Sequence, residues 1–435
     1  MKSLGGFFIA FVIIVFFIAF LATPARESSS LENRTLTQLP SFSLSSFVDG
    51  SFQKKINSYF SDQFPLRDFF VKFDLTLDRL GQNTAGADYD FRVEGSDGYD
   101  YYVYEDELIL ALLRDKKNLD VAGLWTDKLG EASKWCADAG VDMAVAIFPS
   151  KAEALIQMEP EFHRNNSDSA VLDRVFDDLP DSVLKIDGVE EFRKLPLDEL
   201  RDRYLKRDNH WNFYGAQCAY AWMLPRLADR FDLRVAERNF VSVPNVQQRM
   251  VGAYARTVGF DDPREERLEF FIPDDAEFDV EYYYDGETLL TDPAAAAEVG
   301  TVAEVRLPTN ASAYSSYEVW LDGEQVGLNE VFCKNYVGDN VDYSNLTMMN
   351  NAWVKIRNEE ADNDYVLLVV HDSFYNAIAL NMSLSVSEQH IVDTRTYKDF
   401  NLAEFVRENN VEGVLFFYNS NAFFKIEDHL SFDVQ

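Results

Sequence analysis

The hydrophobic and polar positions of the chain follow two periods in turn, one typical of helices and one typical of strands. Apolar positions recur at helical spacing in residues 124–139, 171–179, 197–204, 213–231, 374–384 and 402–408. Short apolar runs typical of strands lie between them, at 141–148, 183–186, 366–370, 388–393 and 411–418. This alternation predicts an α/β domain in which a parallel sheet is covered by helices on both faces.

The alternation is interrupted between residues 240 and 330. Runs with a period of two residues, such as FDVEYYY at 278–284 and VAEVRL at 302–307, are typical of strands. Asp-Gly pairs begin at 285 and 322, and this dipeptide favours the tight turn of a hairpin. The segment is therefore predicted to be an antiparallel β-rich insertion in the α/β domain, which itself spans residues 116–435.

Residues 47–115 form a predicted N-terminal helical region. Two amphipathic helical patterns lie between Phe47 and Leu80, and Pro65 separates them because proline interrupts a helix. A tyrosine-rich run at 99–106 predicts a strand.

The amino terminus predicts a membrane signal anchor in residues 1–23. Leu4 to Ala22 carry no charge, and at about 1.5 Å per residue a helix of this length crosses most of a bilayer. The run is longer than the usual core of a cleaved signal peptide, and no clean Ala-x-Ala site follows it. We expect residues 24–46 to be an extracytoplasmic tether; cleavage between Ala22 and Ala25 is the alternative.

Charge and cysteine content exclude several classes of protein. The formal charge of −34 makes nucleic acid an unsuitable partner, because a phosphate backbone would be repelled. Cys136, Cys218 and Cys333 are odd in number and far apart, so they predict neither a disulfide framework nor a metal knuckle. We expect buried thiols, with one disulfide as the alternative.

A candidate nucleophile follows the most apolar of the predicted strands. Residues 366–370 end in His371-Asp372-Ser373, and open α/β sheets bind their ligands at the carboxyl ends of their strands. Ser373 is therefore the candidate nucleophile. His371 ranks second as a base for it, because its direction is tied to the strand.

His210 is the first candidate for the base. Asp208 precedes it by two residues, and in an extended segment both side chains project to the same side. The carboxylate would then orient the imidazole through Nδ1 and leave Nε2 to take a proton from a serine. Two alternatives stay open: Asp208 as an N-cap of the following helix, and a metal site built from Asp208, His210 and His371.

Two further residues are candidates for substrate binding, together with His371. Trp211 directly follows His210 and is expected to wall the site. Arg395 lies just past the predicted strand at 388–393. It is expected either to bind a substrate carboxylate or hydroxyl group or to pair with Asp393.

Several motifs together resemble the DHHW proteins, which are relatives of the SGNH-hydrolase-like alginate O-acetyltransferases. In chain order these motifs are ENRTLTQLP (32–40), YFSDQFPLRD (59–68), Asp208-Asn209-His210-Trp211 with Asn212 and Gly215, VVHDSF (369–374), IVDTRTY (391–397) and VEGVLFF (411–417). The resemblance covers about residues 31 to 424 and is weakest between 240 and 330. This sequence has Asn209 in place of the second His of the signature and His-Asp-Ser in place of Gly-Asp-Ser.

The resemblance implies an SGNH-hydrolase-like fold and a triad of Ser373, His210 and Asp208. It also implies transfer of acetyl groups to an exported or cell-surface polysaccharide. No cofactor is expected, because an integral membrane O-acyltransferase partner or a small molecule would supply the acyl group. The alternatives are a non-catalytic carbohydrate-binding or assembly protein and a secreted acetylesterase. The Ser373 N–H is one expected oxyanion donor, and the sequence identifies no second one.

Overall fold

The computed structural model describes residues 20, 24–26, 28–29, 34–43, 46–47, 50–65, 67, 91–94, 100–103, 121–155, 169–246, 248–253, 264–279, 281–284, 288–290, 293–299, 302–334, 341–424 and 429–434. These residues divide into two compact units. The first unit holds the described residues up to 67, and the second unit holds those from 91 onward.

The first unit is built around one amphipathic helix, Ser51–Asp62. A two-residue ladder joins Ser28–Ser29 to Arg34–Thr35, and the Asp62 carboxylate accepts the backbone N–H of Thr37 at 2.8 Å. The first of the two helices predicted between residues 47 and 80 is thus confirmed, and most of the second lies outside the described residues. The predicted anchor also lies outside them, apart from Phe20. No helix within the described ranges is long and apolar enough to cross a membrane.

An eight-stranded sheet organises the second unit. In chain order its strands are β1 (Asp142–Phe148), β2 (Leu184–Asp187), β3 (Tyr317–Leu321), β4 (Glu324–Val326), β5 (Trp353–Asn358), β6 (Val366–His371), β7 (Glu388–Val392) and β8 (Gly413–Asn419). Their order across the sheet is β4-β3-β5-β7-β6-β8-β1-β2. The five strands from β7 to β2 are parallel, so the predicted parallel sheet is confirmed.

The other three strands extend the sheet in antiparallel fashion from β7. The burial pattern explains the difference. β6 and β8 are buried on both faces and read as continuous apolar runs, as central parallel strands do, whereas β5 alternates buried and half-buried positions.

Helices cover both faces of the sheet, as predicted. Four helices are labelled α1 (Val121–Ala139), α2 (Ser169–Asp178), α3 (Phe213–Arg230) and α4 (Leu402–Glu408). The other helices described in this unit are Lys151–Ala154, Gly188–Arg193, Leu197–Arg201, Pro293–Val299, Leu328–Val331, Tyr343–Leu346 and Ala379–Met382. Helices α1, α2 and α4 pack on the face that carries Val145 and Val370, and α3 packs on the face that carries Ala146 and Val369.

The predicted insertion is antiparallel but ends earlier than residue 330, because residues 317–326 form β3 and β4 of the main sheet. Its described pairs are Phe240–Pro244 with Glu269–Pro273, Arg249–Met250 with Arg264–Glu265, and Glu281–Tyr284 with both Thr288–Leu290 and Val302–Val305. The Asp-Gly pair at 322 forms the tight turn between β3 and β4, where φ is 49° at Asp322 and 89° at Gly323. Two successive positive φ values are the reason that this dipeptide suits the turn.

Several local predictions can be compared directly with the structure. The strand predicted at 99–106 is present as Asp100–Val103, paired with Phe91–Glu94. The helix predicted at 374–384 is wrong as one element, because a 3-10 turn at Tyr375–Ala377 precedes the short helix Ala379–Met382. All three cysteines are free, so the alternative of a disulfide among them is wrong.

Candidate active site

A closed loop carries Asp208 and His210. Its ends meet in an antiparallel bridge between Tyr204 and Trp211, and the Leu205 N–H donates to the His210 carbonyl at 3.1 Å. The helix predicted at 197–204 therefore ends earlier, at Arg201, because Tyr204 is used in this bridge. The loop is thus fixed at its base, which restricts the two side chains.

The N-cap of α3 is Asn212, not Asp208. The Asn212 side chain accepts the backbone N–H of Gly215 at 2.9 Å, which satisfies one of the free donors at the start of the helix. The capping alternative for Asp208 is therefore wrong, and its carboxylate has other partners.

The structure brings Asp208, His210 and Ser373 into one hydrogen-bonded chain. The Asp208 Oδ1 and His210 Nδ1 atoms are 2.6 Å apart, and the His210 Nε2 and Ser373 Oγ atoms are 2.7 Å apart. Asp208 is buried, whereas Ser373 is half-buried at the carboxyl end of β6. A nucleophile, a base and an orienting acid stand in this geometry in serine hydrolases.

The Asp208 carboxylate is held by three donors. Besides the imidazole, the His210 N–H donates to Oδ1 at 3.0 Å and the Ala253 N–H donates to Oδ2 at 2.6 Å. Burial alone would raise the pKa of Asp208, but the imidazole and the backbone donors outweigh it and hold that pKa well below its usual range. An ionised carboxylate makes Nδ1 the donor, so Nε2 keeps a lone pair toward Ser373.

Two aromatic rings fix the plane of the His210 imidazole. Tyr343 stacks on it with ring centroids 3.9 Å apart and an interplanar angle of 5°, and the Phe374 ring lies at 5.2 Å. The His210 side chain is 11% exposed. Tyr343 could not be predicted from the sequence, because neither its position in the chain nor its neighbours carry a signal for this contact.

Asp372 fixes the turn that presents the nucleophile. Its Oδ1 accepts the Phe374 N–H at 2.9 Å, and its Oδ2 accepts the backbone N–H and the side-chain amide of Asn419, each at 2.7 Å. Asn419 ends the neighbouring strand β8, so the turn is tied to the sheet. Within the described part of the chain the Ser373 N–H has no acceptor, which leaves it as a donor for an oxyanion.

The other predicted site residues, Trp211, His371 and Arg395, make contacts within the protein. Trp211 is fully buried, and its Nε1–H donates to the Phe374 carbonyl at 3.1 Å, so the indole supports the nucleophile turn. His371 is also fully buried; its Nδ1 lies 2.6 Å from the Asp372 carbonyl oxygen, and burial lowers its pKa. Neither side chain lines an open surface.

Arg395 pairs with Asp393, which is one of the two roles expected for it. Its Nε lies 2.8 Å from Asp393 Oδ1 and its Nη2 lies 2.6 Å from Oδ2, a two-pronged geometry. Among the residues that the structure describes, no three or more His, Cys, Asp or Glu side chains are grouped as a metal site. Asp208, His210 and His371 therefore do not form such a group.

Comparisons with known proteins agree with this architecture. Residues 116–301 match the family model "SGNH hydrolase-like domain, acetyltransferase AlgX". Over these residues the predicted similarity to the SGNH-hydrolase-like acetyltransferases is confirmed. A segment of 205 residues is 23% identical to "Probable alginate O-acetylase AlgJ" of Pseudomonas fluorescens and covers 45% of this chain. That segment spans 47% of the relative, about half of its length.

Two solved structures are similar to most of this chain. Bacillus cereus PatB1 is 20% identical with a TM-score of 0.55, and the match covers 77% of this chain and 97% of that one. A DHHW family protein from Eubacterium siraeum is 16% identical with a TM-score of 0.46, over 81% of this chain and 98% of that one. The similarity to PatB1 is one of fold.

Gly252 of the SGNH-like domain is packed against the loop that carries Asp208. A Cβ atom at this position would overlap the Arg207 carbonyl and lie 3.0 Å from the Asp208 nitrogen. We expect Gly252→Ala to displace the loop, lowering the rate of ester hydrolysis about 100-fold and the free energy of unfolding by about 1–3 kcal/mol.

Gly130→Ala is the matched control for this prediction. Gly130 lies in α1, and a Cβ atom there would have no heavy atom within 4 Å. Alanine in a helix is favoured over glycine, so this variant should keep its activity and gain about 0.5–1 kcal/mol. Kinetic assays and thermal unfolding of both variants test the pair; equal behaviour would contradict the tight packing of Gly252.

Proposed function

We propose that this protein is an extracytoplasmic, membrane-anchored O-acyltransferase that acetylates hydroxyl groups of an exported or cell-surface polysaccharide. The observation that carries the proposal is the continuous chain from Asp208 through His210 to Ser373, with distances of 2.6 and 2.7 Å, at the carboxyl edge of the sheet. The match to an acetyltransferase domain and to a relative named for alginate O-acetylation supports this choice of reaction and substrate class.

The reaction proceeds through an acyl-serine in two half-reactions. In the first, His210 Nε2 takes the proton of Ser373 Oγ while the oxygen forms a bond to the acyl carbonyl carbon of the donor. The tetrahedral intermediate then breaks the bond to its leaving group, which takes the proton back from the imidazolium. An ester on Ser373 and a neutral imidazole remain.

The second half-reaction repeats these steps with a sugar hydroxyl. His210 takes the hydroxyl proton, the sugar oxygen attacks the acyl-serine, and Ser373 leaves with the proton returned to it. The ionised Asp208 stabilises the imidazolium that forms in both halves. The Ser373 N–H donates to the oxyanion of each tetrahedral intermediate.

The acyl donor and the location belong to the same proposal. The chain itself uses no cofactor in these steps, and an integral membrane O-acyltransferase or a small acyl ester supplies the acetyl group. The uncharged run from Leu4 to Ala22 supports an anchor that keeps the SGNH-like domain beside such a partner at the membrane.

A transfer assay tests this function. The full chain, purified in detergent, is given p-nitrophenyl acetate with and without an uncharged oligosaccharide, and acetyl ester on the sugar is measured by mass spectrometry. We expect acetylated sugar to form at the expense of free acetate, in proportion to acceptor concentration. Acetate release that the acceptor leaves unchanged would instead identify an esterase. Sugar binding without release of p-nitrophenol would identify the binding protein and overturn the enzyme.

A further inference from the structure

Lys151 is a buried lysine directly beneath the loop that carries the acid and the base. It follows β1 at the start of the short helix Lys151–Ala154 and is 1% exposed. Its Nζ donates to the Lys206 carbonyl at 2.7 Å and to the Asp208 carbonyl at 3.2 Å. The ammonium group thus holds two carbonyl groups of the loop.

Glu266 holds the same loop through its N–H groups. It comes from the insertion and is 5% exposed. Its Oε2 accepts the Lys206 N–H and its Oε1 accepts the Arg207 N–H, each at 3.0 Å. Burial raises the pKa of the Glu266 carboxyl, while these donors and the charge of Lys151 act in the opposite direction.

Stability alone does not account for two buried charges at this position. Removing a charged group from water costs several kcal/mol, and apolar residues of similar size often serve stability as well or better. Four backbone groups of residues 206–208 are held by two side chains, Lys151 and Glu266, that belong to different parts of the fold.

We propose that Lys151 and Glu266 are positioning residues that hold the 206–208 backbone so that Asp208 and His210 reach Ser373. The inference rests on the proposed function, since it gives these residues a part in the same reaction. Neither residue hydrogen-bonds a triad side chain; both act through the loop backbone. Loss of either charge would let the loop move and would lengthen the hydrogen bond between His210 Nε2 and Ser373 Oγ.

The test uses Lys151→Met, Lys151→Arg and Glu266→Gln in the full chain. Exposed neighbours provide the matched controls Lys194→Met and Glu265→Gln. Lys151→Met and Glu266→Gln are expected to lower kcat for p-nitrophenyl acetate about 100-fold, with KM changed less than about threefold. Lys151→Arg, which keeps the charge, is expected to restore most of kcat, and both controls are expected to behave as wild type.

A second measurement reads the geometry without any turnover. The His210 Nδ1–H, which donates to Asp208, should give a downfield proton resonance in the NMR spectrum. Its loss in His210→Asn assigns the resonance. We expect Lys151→Met and Glu266→Gln to weaken or remove this resonance and Lys151→Arg to keep it. If the wild-type chain shows the resonance but no acyl chemistry, the proposed function fails while this test still stands.

Either of two results would overturn the inference. One is a folded Lys151→Met or Glu266→Gln variant that keeps both the resonance and a kcat within about threefold of wild type. The other is a Lys151→Arg variant as impaired as Lys151→Met, which would make the role one of packing. If Lys151→Met does not fold, the isosteric Glu266→Gln decides the matter by the same two readouts.

Discussion

Replacing Ser373 with Ala is expected to lower the rate of acyl transfer by about 10⁴- to 10⁶-fold, because no other group of the triad can form the covalent acyl intermediate. The loss should appear in kcat rather than in KM, since the hydroxyl group reacts but contributes little to holding the substrate. Ser373 is half-buried on a turn whose backbone is held by Asp372, so the variant should fold normally. Steady-state kinetics and thermal unfolding measure the two quantities.

Two companion variants sharpen this prediction. Ser315→Ala removes an exposed hydroxyl group of the same unit and should leave the rate unchanged. Ser373→Ala combined with His210→Ala should be no slower than Ser373→Ala alone, because residues that act as a unit are not additive. A Ser373→Ala variant that retained a tenth of the wild-type rate would exclude the acyl-serine mechanism.

Asp208→Asn is expected to lower kcat by about 10³- to 10⁴-fold with little change in the fold. The amide keeps the size of the carboxylate, but it cannot stabilise an imidazolium. It also favours the imidazole form whose Nε2 carries the proton, and that form cannot accept one from Ser373. The effect should be large because the carboxylate is buried and is held by the Ala253 and His210 N–H groups.

The matched control for this variant is Asp202→Asn, which changes an exposed carboxylate just before the same loop. It should leave the rate within about twofold of wild type. The two rates are compared at neutral pH, where the low pKa of Asp208 keeps it ionised. Equal rates for the two variants would show that Asp208 does not orient the base.

The sheet and its helices could be predicted because local patterns and tertiary burial agree. Residues 366–370 are apolar throughout because β6 is buried between two neighbouring strands. Helix α4 begins at Leu402 as predicted, where the Asn401 side chain caps it by accepting the Glu404 N–H. The structure of residues 374–384 was harder to predict, because the Asp372 side chain accepts the Phe374 N–H and fixes a tight turn.

The triad residues could be proposed from sequence because Asp208 and His210 are close in the chain and Ser373 ends an apolar strand. The residues that hold the triad in place could not be predicted, because their contacts join residues that are far apart in the chain. In the sequence Lys151 is only a residue shortly beyond a predicted strand, and nothing local connects it to the Asp208 carbonyl. Trp211 is expected from the sequence to wall the site, whereas in the structure it is fully buried and its indole N–H donates to the Phe374 carbonyl.

The most direct test of the central claim is the mass of the peptide that contains Ser373 after brief exposure of the full chain to an acetyl donor. We expect wild-type protein quenched in acid to carry one acetyl group on Ser373, and an oligosaccharide acceptor to remove it. Asp208→Asn should accumulate this acetyl group much more slowly. Acetyl transfer at a wild-type rate with no acetyl group on Ser373 at any time would contradict the mechanism.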